Sequence, residues 1–263
     1  MSPRLYLLFL GLLAAGHAQT PPLGADQKPD YSQEAFIIER DSTEITFEND
    51  GMSARKSAAR IRIQSGSGVH RYAVLTFPYQ SSTENLDIDY VRVRKPDATV
   101  VVTPAENVQD IASEITRQAP LYSDLREKHV AVKGMAIGDV LEYQAYWHTT
   151  KPLAPGQFWF AYSFSTGSIV LQETLQIGVP RDRLVKWRSP ERTPTIGETG
   201  DRRIFTWTHA QLEHKSKEQQ EKNGRRRSPW LGAAGRPSPT CKFPVSKVGK
   251  KWAAGITLCN WNA

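Results

Sequence analysis

Between Tyr31 and His209 the side chains alternate apolar and polar in run after run, and a period of two is what a pleated strand with one buried face requires. In "ARIRIQ" the residues Ala59, Ile61 and Ile63 point one way and Arg60, Arg62 and Gln64 the other. Ile45 and Phe47 repeat the pattern, as does "GDVLEYQAYWH", where Leu141, Tyr143, Ala145 and Trp147 form one stripe. In "YVRVRKPDATVVV" Val91 and Val93 precede a Pro96-Asp97 turn, and Val100 and Val102 follow it, which predicts a hairpin. "IVLQETLQIGVP" predicts a stripe of Leu171, Leu175, Ile177 and Val179, and "RRIFTWTH" a last strand. Many short strands with turn signals between them predict an all-β fold, an antiparallel β-sandwich of two packed sheets. The stretch "AENVQDIASEITRQAP" is the one short helix or ordered loop, and the glycines of "QSGSGVH" read as a tight turn between strands.

The ends of the chain read differently. "MSPRLYLLFLGLLAAGHAQT" has Arg4, an apolar run too short to span a bilayer, and small residues Gly16 and Ala18 where a signal peptidase cuts. Residues 1–18 are therefore expected to be a signal peptide and 19–30 a Pro-containing linker, with the mature chain exported to the periplasm or the extracellular medium. A buried N-terminal helix is the competing reading. The sandwich is expected over residues 31–210. The formal charge of +7 arises in the tail: nine of the 34 Lys and Arg lie from Lys222 onward without any Asp or Glu, which leaves 25 against 27 upstream. Hydrophobic content of 39% excludes wholesale disorder, but residues 211–263 have too little apolar pattern to repay their conformational entropy and are expected to be disordered. Both cysteines, Cys241 and Cys259, fall in this tail, so the body folds without a disulfide.

"AFIIERDSTEITFENDG", "APLYSDLREKHVAVKGMAIGDVLEYQAYW" and "KPLAPGQFWFAYSF" resemble domain-of-unknown-function family 3857, the module that precedes transglutaminase-like domains in exported bacterial proteins. The markers are Tyr122-Ser123-Asp124, Arg126, Gly138-Asp139, Glu142-Tyr143 and Phe158-Trp159. The resemblance implies an all-β sandwich with no catalytic role, the chemistry belonging to a following papain-like Cys-His-Asp domain. That domain is the expected partner, in cis, and it is missing from this sequence. From Lys222 onward there is neither His nor carboxylate to activate and orient a thiolate. A two-base shift of reading frame with free wobble bases allows, from Pro239, a sequence similar to the segment that links module and catalytic domain in family members. The tail is accordingly expected to be out of frame from a point between Lys222 and Pro239.

No cofactor is expected. No two of the six histidines stand three or four residues apart, so no metal site is signalled locally. Ser123, Asp124 and His129 suggest a triad only by proximity in sequence, and Ser-Asp is more often a turn or cap pair; Asp124 is expected to hold backbone amides, with Arg126 as its charge partner. The tail's Arg225–Arg227, Lys250 and Lys251 lack the interleaved aromatics of a nucleic-acid site, so nucleic acid is excluded as a partner and anionic membrane contact is the lesser alternative. In "GQFWFAYSF" the residues Phe158, Phe160, Tyr162 and Phe164 share a core-facing side and Trp159 the other. Trp159, Tyr146, Tyr122, Asp124 and Arg126 are the candidate binding or domain-docking residues. Two functions follow: a non-catalytic module that scaffolds or positions substrate for a transglutaminase-like domain, or a free-standing glycan-binding or adhesion sandwich.

Overall fold

Alternation becomes architecture strand by strand in the computed structural model, which describes residues 30–121, 123–189, 192–213 and 256–260. Along the chain run β1 (Phe36–Phe47), β2 (Ser53–Ile63), α1 (Gly66–Tyr72), β3 (Val74–Gln80), β4 (Glu84–Arg94) and β5 (Val100–Val102). A 3-10 turn at Ala105–Asn107 leads to β6 (Val108–Ala112), α2 (Glu114–Gln118), β7 (Leu125–Ala131) and β8 (Val140–Thr149). Then follow β9 (Trp159–Tyr162), β10 (Val170–Pro180), β11 (Val185–Arg188), β12 (Thr195–Thr199), β13 (Arg202–Gln211) and β14 (Ile256–Asn260).

Eight strands make one long sheet in the order β12-β13-β10-β1-β2-β8-β4-β5. Two three-stranded sheets, β3-β7-β6 and β11-β14-β9, form the second layer. Register shows that both cover the same face. Ile45 on β1 aligns with Arg55 on β2 and Arg55 with Trp147 on β8, which puts all three on one side. Trp147 belongs to the core under β3 and β7, with Ile61, Ile63, Leu75, Phe77, Val93, Val130 and Leu141. Ile45 belongs to the other, with Phe47, Phe158, Leu175, Ile177, Phe205 and Trp207. The expected sandwich is present, but its second layer is split and each half has its own core.

The stripe from Leu141 to Trp147 faces inward as the alternation predicts: Leu141 and Ala145 are fully buried and Trp147 is 7% exposed. The Trp147 Nε1 donates to the Pro78 carbonyl at 2.9 Å, and the Arg55 guanidinium lies 4.0 Å over its ring. The β4–β5 hairpin turns where Pro96-Asp97 predicts. The Asp97 Oδ1 accepts the Thr99 amide at 2.9 Å, and Ala98 takes the left-handed conformation at φ 69°.

Several expectations are corrected. The long sheet is mixed, not antiparallel, because β1 and β10 pair in parallel. A parallel pair needs a long crossover, and β2 through β9 supply it. Leu171 leaves its stripe and is 41% exposed: a register shift between Val170 and Glu173 inverts the alternation there, and Val170 is buried instead. "QSGSGVH" opens a helix, not a tight turn, with the Ser65 Oγ accepting the Gly68 amide at 3.4 Å. Gly68 packs so closely that an added Cβ would lie 2.2 Å from the Ala35 carbonyl oxygen. The expected single helix or loop becomes a 3-10 turn, a strand and α2. The tail expected to be disordered contributes strand β14 between β11 and β9, with Ile256 only 2% exposed, because an apolar residue completes the second core. The expected signal peptide, linker residues 19–29, the remainder of the tail from residue 214 and Cys241 lie outside the described residues.

Candidate functional site

The residues singled out in the sequence are dispersed. The Asp124 carboxylate accepts the Ser82 amide at 2.9 Å and the Ser82 hydroxyl at 2.5 Å, and these bonds, the hydroxyl first, hold it below the usual carboxylate range. Its expected partner Arg126 turns away: Nε reaches the Asp110 Oδ1 at 2.9 Å and Nη2 the Asp110 carbonyl at 3.0 Å. The reason is register, since Arg126 on β7 aligns with Ala112 on β6 and Tyr79 on β3, and the Tyr79 hydroxyl donates to the same Asp110 at 2.6 Å. Ser123 bonds Thr116 at 2.9 Å and His129 bonds Glu127 at 2.7 Å, so neither meets Asp124. Tyr122 lies outside the described residues. Tyr146 sits on the uncovered face of the long sheet, bonded by the Gln144 amide at 2.9 Å and stacked on His148. Trp159 opens β9 half-buried, while Phe158 and Phe164 beside it are buried. Trp159 and Tyr146 therefore belong to different sheets and form no common platform.

Two polar constellations emerge that the sequence reading missed. The first lies on the covered face. Asp41 on β1 and Glu173 on β10 are register partners, and Asp41 also aligns with Ala59 on β2 and Ala59 with Tyr143 on β8. Glu173 is 2% exposed, accepts the Tyr162 hydroxyl at 2.9 Å and the Ser165 amide at 2.9 Å, and feels the Arg192 charge. Burial still raises its carboxyl above the ordinary value. The Asp41 carboxylate has no hydrogen bond among the described residues. Burial, and then the Glu173 charge, push it from 3.8 up to about 6. Tyr72, Tyr143 and Tyr162 surround the pair; burial, the largest cause in each case, raises all three phenols, Tyr72 to about 12. Ser57 hydrogen-bonds Tyr143 and Thr43 hydrogen-bonds Tyr162. The signal was present in parity: Asp41 continues the inward stripe of Thr43, Ile45 and Phe47, and Glu173 that of Leu175, Ile177 and Val179.

The second constellation lies on the uncovered face. Glu142 on β8 receives Arg60, Arg92 at 2.7 Å and Arg94 at 3.7 Å, and Glu39 receives Arg60 at 2.6 Å and Arg62. The two carboxylates are 10% and 15% exposed at their side chains and the arginines 35% to 55%. Burial pushes both carboxyls up, but the guanidinium hydrogen bonds and charges outweigh it and hold both below the ordinary range. Next to this network a cavity of about 340 Å³ is lined by Ile37, Leu171, Tyr31, Arg62 and Gln64 among others. Among the described residues no group of three or more His, Cys, Asp or Glu is arranged to hold a metal.

Comparison with known proteins places these features. A family model, DUF3857, described as a domain of unknown function with solved structure, matches residues 49–215. The crystal structure of a "putative protease" from Parabacteroides distasonis superposes with a TM-score of 0.66 at 16% identity. That match covers 86% of this chain and 40% of the other, so the chain spans less than half the length of that protein. An M1 zinc metallopeptidase from Deinococcus radiodurans matches with a TM-score of 0.36 at 9% identity, over 67% of this chain and 39% of the other. No curated protein matches the sequence.

Proposed function

The chain belongs to the DUF3857 family, and on that premise we propose that it is an exported, non-catalytic β-sandwich module that docks onto a transglutaminase-like, cysteine-peptidase-like domain and helps place that domain's substrate. The observation that carries this reading is the extent of the match to the Parabacteroides protein: a fold shared over 86% of this chain accounts for 40% of a protein described as a protease. The described ionisable groups support it. Both ring nitrogens of His209 are engaged, Nδ1 with the Arg192 guanidinium and Nε2 with the Ser165 carbonyl, whereas a thiol-activating imidazole must present a free nitrogen to its nucleophile. Asp110, Asp139 and Glu142 hold arginine or lysine side chains between elements.

The test mixes the full chain with a purified transglutaminase-like domain from a family member and follows association by calorimetry and the domain's peptidase or amide-exchange rate. Saturable binding that changes the rate is the expected result. Turnover by the chain alone, or no association at concentrations well above micromolar, overturns the reading. Export is tested separately by N-terminal sequencing of the secreted protein, which should begin after Ala18.

A further inference from the structure

We propose that the uncovered face of the long sheet, where the Arg60–Arg62 and Arg92–Arg94 pairs border the Ile37–Leu171 cavity, is a binding site for an extended acidic peptide segment. Carboxylates at alternate positions of that segment meet the arginines, and a neighbouring apolar side chain enters the cavity. This goes beyond the docking of a catalytic domain and does not depend on it.

Charge is the first argument. Arg40 aligns with Arg60 on the same face, and among the described residues it has no ion pair. Four arginines therefore share the two carboxylates of Glu39 and Glu142 with Arg40 beside them, while the other acids of this face, Glu44, Asp87 and Asp89, lie further along it toward Lys56, Tyr146 and Gln144. Like charges crowded on adjacent strands repel, so this end of the face favours an anionic ligand. Each guanidinium carries five N–H donors, more than two carboxylates can use, and arginines 35% to 55% exposed leave the remainder open to a ligand. Glu39 and Glu142 grip the guanidinium groups from below, so a ligand meets preorganised donors and orders fewer side chains on binding.

Spacing is the second. Residues two apart on a strand are about 6.7 Å apart, the repeat of Arg60–Arg62 and of Arg92–Arg94. An extended peptide has the same repeat for its own alternate side chains. Strand β8 lies between β2 and β4, so the two arginine pairs flank a lane about 10 Å wide with Glu142 beneath it. A segment running along that lane directs the side chains of alternate residues down into it, where each carboxylate lies between an arginine of β2 and one of β4.

The cavity is the third. Arg62 belongs both to the lane and to the cavity wall. Register shifts in β1 between Ile38 and Arg40 and in β10 between Val170 and Glu173 bring Glu39 and Leu171 to this place. Bulges are a common means of re-aiming a side chain beside a site. Ile37 and the exposed Leu171 supply apolar surface, and Gln64 and Tyr31 a polar rim, a composition suited to one aliphatic side chain.

The test is fluorescence anisotropy of the full chain with a labelled peptide of alternating glutamate and threonine that ends in leucine. Saturable binding that weakens with salt is expected. Arg62→Gln with Arg94→Gln should weaken it about tenfold or more, and Leu171→Asp should weaken the leucine-ended peptide but not one ending in glycine. Should the double variant melt early, Arg40→Gln, which breaks no ion pair, decides the same question by weakening binding several-fold. Absence of binding at low salt overturns the proposal. So does equal binding of heparin together with an unchanged affinity in Leu171→Asp, which marks a surface that attracts any polyanion.

Discussion

Replacing Asp41 with asparagine should stabilise this protein, and only above mildly acidic pH. Asp41 stands half-buried beside Glu173, its carboxylate receives no hydrogen bond among the described residues, and its carboxyl is raised from 3.8 to about 6 by burial and by that neighbour. A group with a raised folded pKa favours the folded state below its unfolded value, and that contribution disappears as pH rises through the folded value. The window is therefore from about pH 4 to about pH 6. A rise of about two units corresponds to roughly 3 kcal/mol between its ends. Because Glu173 is raised as well, the two protons leave in steps that belong to the pair. Asparagine keeps the shape and removes the charge. Near pH 7.5 Asp41→Asn should be more stable by up to about 3 kcal/mol, about 6 to 12 °C in Tm for a body of this size. Near pH 4 the variant and the parent should melt together. Thermal melts followed by circular dichroism across this range give the difference directly, and other titrating groups cancel in it. An Asp41→Asn protein no more stable than the parent near pH 7.5, or offset equally at both ends of the range, refutes the account of the carboxylate pair.

The opposite sign is expected on the other face. Glu142, held below its ordinary 4.5 by arginines that outweigh its burial, contributes stability above that value and loses it as pH falls. With its partners half-exposed, Glu142→Gln should cost about 1 to 2 kcal/mol near neutral pH, a gap that urea titration should see close in acid. Trp147→Ala loses a buried ring, its bond to the Pro78 carbonyl and the Arg55 stack, and should cost about 3 to 5 kcal/mol in chemical denaturation. Gly68→Ala places a methyl 2.2 Å from the Ala35 carbonyl oxygen and should lower the melting temperature, at a cost of about 1 to 3 kcal/mol.

Period two made the inward face of β2, β8 and most of β10 legible, because one side of each strand is oil and the other water. It failed where the ladder slips. Leu171 fits the stripe by count, but no composition signal marks the bulge that turns it out. Strand β3 hides behind Pro78, which an edge strand tolerates and a pattern search penalises. Strand β7 reads as charged because Arg126 pairs with Asp110 on β6 and Lys128 donates to the Leu86 carbonyl on β4, an arrangement invisible until those strands lie against it. The candidate site residues fared differently for the same reason. Asp124 found a backbone amide, but that of Ser82, 42 residues away in sequence, and the partner of Arg126 was likewise fixed by register with β6 and not by nearness in sequence.

The parallel β1–β10 pair explains why both polar constellations lie where they do. It joins the half of the long sheet under β3-β7-β6 to the half under β11-β14-β9. Where one cover gives way to the other the inner face carries carboxylates in place of aliphatic side chains, and there Asp41 and Glu173 remain. Register shifts accompany the same junction, in β1 toward β2 and in β10 toward β13. A shift of one residue exchanges faces. So the irregularity that interrupts the inward apolar stripe also delivers Glu39 and Leu171 to the outer face, beside Arg62. A substitution that straightens either bulge should therefore disturb both faces at once, coupling the carboxylate pair inside to the arginine lane outside through the backbone of two strands.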